Sequence, residues 1–399
     1  RIGFLWGLLF LSIQSSFSQR IWQDTPSLDS FPIYDFHSTN DGLLIAMSGG
    51  GIQKTTDEGA SWYSVNEGLE GNYFFSDFAQ IGNTIYVASR RRVAFQEGGI
   101  FKSTDQGETW QPSYDENLRK DVYSLVSVGN RLIAGTDYGV FISDDAGETW
   151  TGVEIDKGEA RHTIGFCMVN NGNRIVAGVN RHVLVSQDAG DTWQVINISD
   201  RGDVNRAAFV NNHFYFSTSG SGIYRSENGL SWEKLDLGLP EDRENILSFL
   251  VLGEDQYYSA HGKVYKNGTP INEGFTMEFP TVRSFTVHNG TLYAGTYRDG
   301  VWKYTLPNNA HSNTARLRIQ PNPSASQAVQ LSYNVLEEGR VFLALYDQNG
   351  KQISIIVDAK QSAGEHQMEV DVRSLADGNY YFQYRTGKYQ ETQNLIIAN

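Results

Sequence analysis

The sequence predicts an all-β protein, built as a seven-bladed β-propeller followed by a small antiparallel β-sandwich of the immunoglobulin-like type. Three observations support this prediction. A motif of eight residues that ends in tryptophan recurs as far as Trp232. A pair of short apolar strands recurs seven times, at a spacing close to the roughly 40 to 45 residues of a four-stranded propeller blade. Strand signals with a different spacing follow residue 316.

The motif has four nearly unchanged copies, at residues 55–62, 103–110, 143–150 and 186–193. A fifth copy, residues 226–232, is one residue shorter and has Asn in place of Asp. The positions that the copies share are Asp57, Gly59 and Trp62; Asp105, Gly107 and Trp110; Asp145, Gly147 and Trp150; Asp188, Gly190 and Trp193; and Asn228 and Trp232.

Each shared residue has a local structural reason to be conserved between the copies. An Asp carboxylate accepts hydrogen bonds from the backbone N–H groups that follow it, which closes a turn. Glycine adopts the positive φ that such a turn needs, and a tryptophan buries roughly 150 to 250 Å² beneath the loop. The motif therefore predicts a staple between two strands. The alternative is a calcium loop of the EF-hand kind, which needs about five ligand positions ending in a bidentate Glu. Since no copy supplies them, we predict no metal site and no cofactor.

These motifs resemble the Asp-box, or BNR, repeat of sialidases, sortilin and related β-propellers. Each repeating unit contains an early strand such as residues 122–125, a central pair such as residues 132–135 and 139–141, and a later strand that begins at the tryptophan. The seventh unit ends near residue 305 without an outer strand. Residues 21–23 are similar to the outer-strand starts at Trp110 and Trp193. We therefore expect the N-terminal segment to complete the last blade and remove an exposed sheet edge.

The chain termini and the composition indicate an exported protein. An apolar run over residues 2–13 is followed by the small residues Ser16 and Ser18, which predicts a signal peptide over residues 1–18. The alternative is a buried N-terminal strand or helix. No other segment is long and apolar enough to cross a membrane.

The net charge of −14 argues against a nucleic-acid or anionic-membrane partner. The single cysteine, Cys167, cannot form an internal disulfide, and we expect it in the core.

The predicted propeller spans residues 19–305, and residues 306–315 have the composition of a linker. The remaining residues, 316–399, contain seven alternating strand segments. This tail resembles the type A C-terminal sorting domain of the type IX secretion system of Bacteroidetes-type bacteria. The residues that carry the resemblance include Pro321, Asn322, Pro323, Gly350, Gly378 and Tyr380. The resemblance implies that the secretion machinery is a partner and that the protein is secreted or attached to the cell surface.

Propellers bind ligands at the axial mouth, which is formed by the loops between the second and third strands and by the loops between blades. We predict that the motifs lie on the opposite face. The predicted axial face is rich in basic residues: Arg91, Arg161, Arg181, His182, Arg206, Arg243, Arg283 and Arg298. Guanidinium groups suit carboxylate, sulfate or phosphate groups, so an anionic glycan or an acidic protein patch is a candidate ligand. The alternative is that the arginines pair with nearby acids such as Asp203 and Asp299.

An exported binding module without catalytic activity fits these patterns best. The alternative is a glycoside hydrolase similar to the sialidases or the xyloglucanases. However, Arg20 and Ile21 are followed by Trp22 rather than by the proline of the sialidase motif. Asp35, Asp77, Asp137 and Asp299 are candidates for a carboxylate pair, whose spacing the sequence does not give.

Overall fold

The structure is a computed structural model. It describes residues 22–25, 28, 31–39, 41–47, 50–69, 73–91, 98–118, 120–155, 166–179, 182–197, 203–239, 245–253, 255–276, 278–306, 317–320, 327–335, 338–347, 351–362, 364–376, 378–386 and 389–397. The predicted signal peptide, Arg161, Arg181 and Arg243 lie outside the described residues.

The described residues form strands and a single 3₁₀ turn, Glu116–Leu118, which confirms the all-β class. Those before residue 307 form seven four-stranded sheets, which we call blades. Blade 1 contains β2 (Ile33–Ser38), β3 (Leu43–Met47), β4 (Gly51–Thr55) and β5 (Tyr63–Ser64); blade 2 contains β6 (Tyr73–Ile81), β7 (Thr84–Arg91), β8 (Gly99–Ser103) and β9 (Gln111–Pro112); blade 3 contains β10 (Val122–Val128), β11 (Arg131–Thr136), β12 (Gly139–Ser143) and β13 (Thr151–Val153); blade 4 contains β14 (Phe166–Asn171), β15 (Arg174–Val179), β16 (His182–Ser186) and β17 (Gln194–Asn197).

The last three blades follow the same antiparallel order. Blade 5 contains β18 (Val204–Val210), β19 (His213–Thr218), β20 (Gly222–Ser226) and β21 (Glu233–Lys234); blade 6 contains β22 (Ile246–Leu252), β23 (Asp255–Ala260), β24 (Lys263–Lys266) and β25 (Thr269–Pro270); blade 7 contains β26 (Val282–His288), β27 (Thr291–Thr296), β28 (Val301–Thr305) and the N-terminal strand β1 (Gln23–Asp24). The first strands of successive blades pack against one another, and β26 packs against β2, so the blades form a closed ring.

The second strand of each blade is buried on both faces because it lies between two neighbouring blades. In β11, every residue after Arg131 is buried. Leu132 and Ala134 pack towards blade 2, whereas Ile133 packs towards blade 4. This burial explains why the second strands are continuous apolar segments rather than alternating ones.

The Asp-boxes connect the third and fourth strands, and their hydrogen bonds are those of a staple. In the second box, Asp105 Oδ1 accepts the Thr109 N–H at 3.0 Å and Oδ2 accepts the Thr109 hydroxyl at 2.6 Å. Ser103 Oγ donates to Asp105 Oδ1 at 2.7 Å and accepts the Gly107 N–H at 2.8 Å. The corresponding bonds from Ser61 lower the pKa of Asp57 to about 2. This carboxylate is therefore charged at neutral pH.

A second backbone requirement of the box was missed by the sequence analysis. The residue before the box glycine also has a positive φ, between 56° and 61°, in Glu58, Gln106, Ala146 and Ala189. This conformation is unfavourable for any residue with a Cβ atom. The fifth box lacks this residue, and its Gly229 N–H reaches Ser226 Oγ directly at 2.8 Å. The one-residue deletion therefore removes the strained position and keeps the turn.

The expected completion of blade 7 is present in the structure. Gln23 pairs with Lys303 and Asp24 with Trp302. The preceding residue, Trp22, is fully buried, and its indole N–H donates to the carbonyl of Ile271 at 2.7 Å. Trp110 of the second box bonds in the same way to Val65 of the preceding blade, at 3.0 Å. Trp22, near the N-terminus, therefore takes the place in blade 7 that the final tryptophan of an Asp-box takes in another blade.

The tail contains seven strands in two antiparallel sheets. They are β29 (Leu317–Gln320), β30 (Ala328–Val335), β31 (Gly339–Asp347), β32 (Gln352–Gln361), β33 (Gly364–Asp371), β34 (Gly378–Thr386) and β35 (Tyr389–Ile397). The sheet orders are β29-β30-β33 and β32-β31-β34-β35, and a core that includes Leu331, Leu343 and Phe382 lies between the two sheets. Gly378 begins β34, and the Tyr380 hydroxyl donates to the carbonyl of Ala376 at 2.9 Å. Pro321, Asn322, Pro323 and Gly350 lie outside the described residues.

The first prediction concerns ring closure. Deleting residues 19–26 should lower the melting temperature by many degrees, because blade 7 loses its outer strand. Trp22→Ala alone should destabilise the propeller by about 3 to 5 kcal/mol, the usual cost of truncating a buried tryptophan. Gln23→Ala is the matched control, since this side chain is exposed. Thermal unfolding followed by circular dichroism measures both effects, and an unchanged melt of the deletion variant contradicts the closure.

The second prediction separates packing from backbone strain in the box. A Cβ at Gly107 would lie 2.6 Å from Leu44 Cδ1, at φ +85°, whereas one at Gly129 would meet nothing within 4 Å, at φ +59°. Gly129→Ala should therefore cost about 1 to 2 kcal/mol for the left-handed conformation alone. Gly107→Ala should cost roughly 1 to 3 kcal/mol more for overpacking. Urea unfolding measures the difference, and equal losses in the two variants disprove tight packing of the box on blade 1.

Candidate binding site at the mouth of the central channel

One residue from each first strand forms a polar ring in the central channel. All seven occupy the same register, each opposite a small residue of the second strand. We call them the channel ring: Asp35, Asp77, Ser124, Cys167, Arg206, Ser248 and Ser284. The opposing residues must be small because the next first strand packs against them. A Cβ at Gly178 would lie 2.3 Å from Val204, and one at Gly295 would lie 2.6 Å from Ile33.

Side chains of the channel ring bind the backbone of the next blade. Asp35 Oδ2 accepts the Phe78 N–H at 3.2 Å, and Asp77 Oδ2 accepts the Leu125 N–H at 2.9 Å. Ser124 Oγ continues the pattern by accepting the Met168 N–H at 3.0 Å. These bonds join sheets that share no strand-to-strand pairing, so the ring residues have a structural role.

Asp35 and Asp77 form a hydrogen-bonded pair of carboxyl groups. Burial and then the neighbouring Asp77 raise the pKa of Asp35 well above its usual range, and Arg206 opposes this shift. Burial also raises the pKa of Asp77, but the Ser124 hydroxyl and the Leu125 N–H stabilise its charged form. Both carboxyl groups are therefore harder to ionise than an exposed aspartate, and Asp35 more so than Asp77.

Arg206 spans the channel instead of pointing towards a ligand. Its Nη2 donates to the carbonyls of Tyr34 and Arg283, and its Nε donates to the carbonyl of Arg283 at 3.3 Å. Arg206 and Arg283, which were predicted on the axial face, lie in the first strands β18 and β26. A cavity of about 220 Å³ lies beside the ring, and its lining includes Asp35, Asp77, Tyr123 and Arg206.

The first strands bulge just before the channel ring, and the bulged residues build the mouth of the channel. Six described strands shift register at this point, which places Tyr34, Tyr123 and Arg283 in bulges. Bulges re-aim side chains and are common next to functional sites. The Arg90 guanidinium lies over both the Tyr34 and Tyr123 rings, at 5.3 and 5.0 Å from their centroids.

A second cluster of the same kind lies at blade 7. Arg283 and Arg298 both lie over the Tyr297 ring, at 5.0 and 5.2 Å from its centroid. The Nε atoms of Arg90 and Arg283 are buried and have no hydrogen-bond partner within the described residues. The charges of these arginines are thus held by tyrosine rings, an attraction of about 0.5 to 2 kcal/mol each.

The remaining predicted residues have other contacts. Arg91 pairs with Asp121 at 3.1 Å, as the alternative interpretation expected. His182 Nδ1 lies 2.5 Å from Asn197 Oδ1 in the outer part of blade 4. Asp137 lies near Asp121, and its Oδ1 is buried without a partner in the described structure. Asp299 Oδ2 accepts the Trp302 indole N–H at 3.1 Å. The structure therefore joins Arg283 and Arg298 into one site and adds Arg90, which the sequence analysis did not select.

Neither a metal centre nor a glycosidase pair is evident where the chain is described. No group of three or more His, Cys, Asp or Glu residues there is arranged to hold a metal ion. Asp35 and Asp77 contact each other, whereas the carboxyls of glycosidases are about 5 to 9.5 Å apart. Burial raises the pKa of the Cys167 thiol to about 12, so the thiol is protonated at neutral pH.

Two family models match the chain. Residues 318–398 match the secretion system C-terminal sorting domain, and residues 101–112 match the BNR/Asp-box repeat. The chain carries a sorting domain and Asp-box repeats. Both predicted resemblances are thereby confirmed, and the sorting domain indicates a secreted or cell-surface protein that interacts with the secretion machinery. No helix of the described residues has the length and apolar character needed to cross a membrane. No curated protein matches the chain.

Solved structures with a similar fold include other propellers. YCF48 from Cyanidioschyzon merolae is 16% identical, with a TM-score of 0.56 over 72% of this chain and 99% of that one. A structure of YCF48 bound to D1 peptide is 14% identical, with a TM-score of 0.58 over 73% and 97%. PorZ, a surface component of the type IX secretion system of Porphyromonas gingivalis, is 13% identical, with a TM-score of 0.52 over 92% of this chain and 59% of that one. At these identities the similarity shows a shared fold alone.

The third prediction follows from the carboxyl pair. An acid whose pKa rises on folding contributes stability that is fully present below its unfolded pKa, about 3.9, and is lost as pH rises through the folded pKa. Asp35→Asn keeps an oxygen for the Phe78 N–H and removes this titration. Between pH 5 and pH 8, the wild type should therefore lose more stability than the variant.

Urea midpoints at the two pH values measure this difference. Asp371→Asn is the control, because Arg373 lowers the pKa of Asp371 to about 2 and its titration lies below this window. Parallel pH profiles for the wild type and Asp35→Asn contradict the raised pKa.

Proposed function

We propose that the channel mouth of the propeller is a recognition site for an anionic extracellular ligand. The observation that carries the proposal is the way Arg90, Arg283 and Arg298 are held. Their guanidinium groups lie against tyrosine rings, and no ion pair involves them in the described part of the chain. Three positive charges on an otherwise acidic protein create a local potential that favours carboxylate, sulfate or phosphate groups.

The neighbouring tyrosines extend this site beyond simple charge attraction. Tyr34, Tyr123 and Tyr297 present flat rings and hydroxyl groups beside the arginines, a combination that is enriched in recognition surfaces. The similar propeller YCF48 binds a D1 peptide. This supports a protein segment, as well as an anionic glycan, as the ligand. The paired Asp35 and Asp77 lack the spacing that glycoside hydrolysis requires, so this pair favours recognition over catalysis.

Export through the sorting domain gives this site access to extracellular ligands. We propose that residues 316–399 act as the secretion signal for the propeller of residues 19–305, after removal of residues 1–18. The folded tail, with its own core, is consistent with a separate unit that the secretion machinery recognises.

The fourth prediction tests the ligand site directly. Arg90→Ala and Arg283→Ala should each weaken binding of the full chain to anionic ligands by about tenfold, because each removes charge-assisted contacts. Binding is measured on an array of sulfated and uronic-acid glycans, and in parallel with Asp- and Glu-rich peptides. Arg206 is left intact because it holds backbone carbonyls in the channel.

Arg373→Ala, in the tail, is the matched control, since this exposed arginine pairs with Asp371. Retention on the glycans or on the peptides identifies the ligand class. A wild-type protein that binds neither set eliminates the proposed site.

A further inference from the structure

The five Asp-boxes share a second feature, which is the way they sit on the preceding blade. Each box glycine lies over one side chain in the second strand of that blade. We call the place where a box packs on the preceding blade a seat, and the side chain beneath the glycine the floor of that seat. The glycine and floor pairs are Gly59 over Tyr293, Gly107 over Leu44, Gly147 over Tyr86, Gly190 over Ile133 and Gly229 over Val176. All five floors occupy the same register, two residues before the partner of the channel ring.

Basic side chains hold four of these boxes in place. Lys54 Nζ donates to the Gln106 carbonyl at 3.0 Å and to Glu108 at 2.7 Å. Lys102 pairs with Glu148 of the third box, and Lys303 donates to the Glu58 carbonyl at 3.2 Å. The three lysines occupy the same register, directly opposite the floors Leu44, Tyr86 and Tyr293. Arg131, from a different position, binds the Ala189 carbonyl and Asp191 in the same way.

An occupied seat therefore has a defined chemistry. A cation on one blade donates to a turn of the next blade: Lys54 and Arg131 each bind a main-chain carbonyl and a carboxylate, whereas Lys102 binds a carboxylate and Lys303 a carbonyl. The side chains of Lys54, Lys102 and Arg131 become largely covered as a result, with exposed fractions of 0%, 17% and 22%.

Blade 5 has the floor and the cation of a seat, but blade 6 has no box that could pack there. The strands β24 and β25 are joined by Asn267 and Gly268 alone. Tyr215 occupies the floor position of blade 5, and Arg225 lies opposite it, in the register of the three lysines. The Arg225 side chain is 37% exposed and pairs with Glu233 of its own blade.

Open space lies beside Arg225 and along the boundary between blades 5 and 6. A cavity of about 320 Å³ is lined by residues of blade 5, namely His213, Arg225 and residues of the fifth box. A second cavity, of about 540 Å³, is lined by Leu237, Tyr258 and the Asn267–Gly268 turn. His213 lies two residues before the floor Tyr215. Arg131, which holds the fourth box, likewise lies two residues before the floor Ile133.

We propose that this boundary is a docking site for an acidic turn of a partner protein. The occupant presents a main-chain carbonyl and a carboxylate to Arg225, as Gln106 and Glu108 do to Lys54. Blade 7 gives the precedent for a boundary completed by a segment from elsewhere, because Trp22 takes the place of a box tryptophan next to blade 6. The docking site lies on the face opposite the channel mouth, and it is independent of the anionic-ligand site.

The probe for this site is a synthetic peptide with the sequence of residues 103–110, cyclised through added terminal cysteines. It should bind the full chain, as measured by fluorescence anisotropy. Arg225→Ala, and separately Glu108→Gln within the peptide, should each weaken binding about tenfold through loss of the ion pair. Arg340→Ala in the tail is the matched control and should change nothing.

A grafted chain gives a second measurement. Replacing Asn267 and Gly268 by residues 103–110 should raise the melting temperature and abolish binding of the free peptide. Arg225→Ala should remove this gain in stability. The proposal is overturned if the free peptide fails to bind, if it binds Arg225→Ala equally well, or if the graft stabilises the chain independently of Arg225.

Discussion

The central constraint on this fold is that each blade pairs its strands only within its own four-stranded sheet. Nothing in strand pairing itself holds one blade to the next, so the ring depends on side chains that reach across the boundaries. Apolar clusters fill each boundary. Two polar layers then fix the register between blades: the channel ring at the axis and the Asp-boxes at the periphery. The carboxylates serve this purpose because one Asp can accept several donors in a fixed geometry.

The two polar layers differ in their electrostatics, although both use aspartate. At the periphery, Asp57 and Asp145 are exposed and accept hydroxyl and N–H donors, so their pKa values fall to about 2. At the axis, burial raises the pKa values of both Asp35 and Asp77, and the neighbouring Asp77 raises that of Asp35 further. The same side chain therefore ionises readily in one layer and with difficulty in the other. Solvent access and the neighbouring carboxyl account for the difference.

Much of the fold was predictable because it rests on repetition. The Trp-ended motif and the paired apolar strands recur with a fixed spacing, and Trp22 followed by Gln23 repeats the start of an outer strand. The site was less predictable. Arg206 and Arg283 were expected at the axial mouth but lie in the first strands β18 and β26, where a bulge interrupts the alternation. Arg90 was not selected, since three arginines stand together at residues 90–92 and the sequence does not show which of them meets Tyr34 and Tyr123.

The closing strand β1 also has a consequence for how the propeller is made. Thr25 bonds to the carbonyl of Val301, 276 positions away, so the two halves of blade 7 come from opposite ends of the propeller sequence. During synthesis from the N-terminus, β1 is made first, and the other three strands of blade 7 are made last. Until then the growing arc keeps an unpaired edge at both ends, and the loop that must be closed is long. The ring can therefore close only after the strand that contains Val301 has been made, because β1 pairs with that strand.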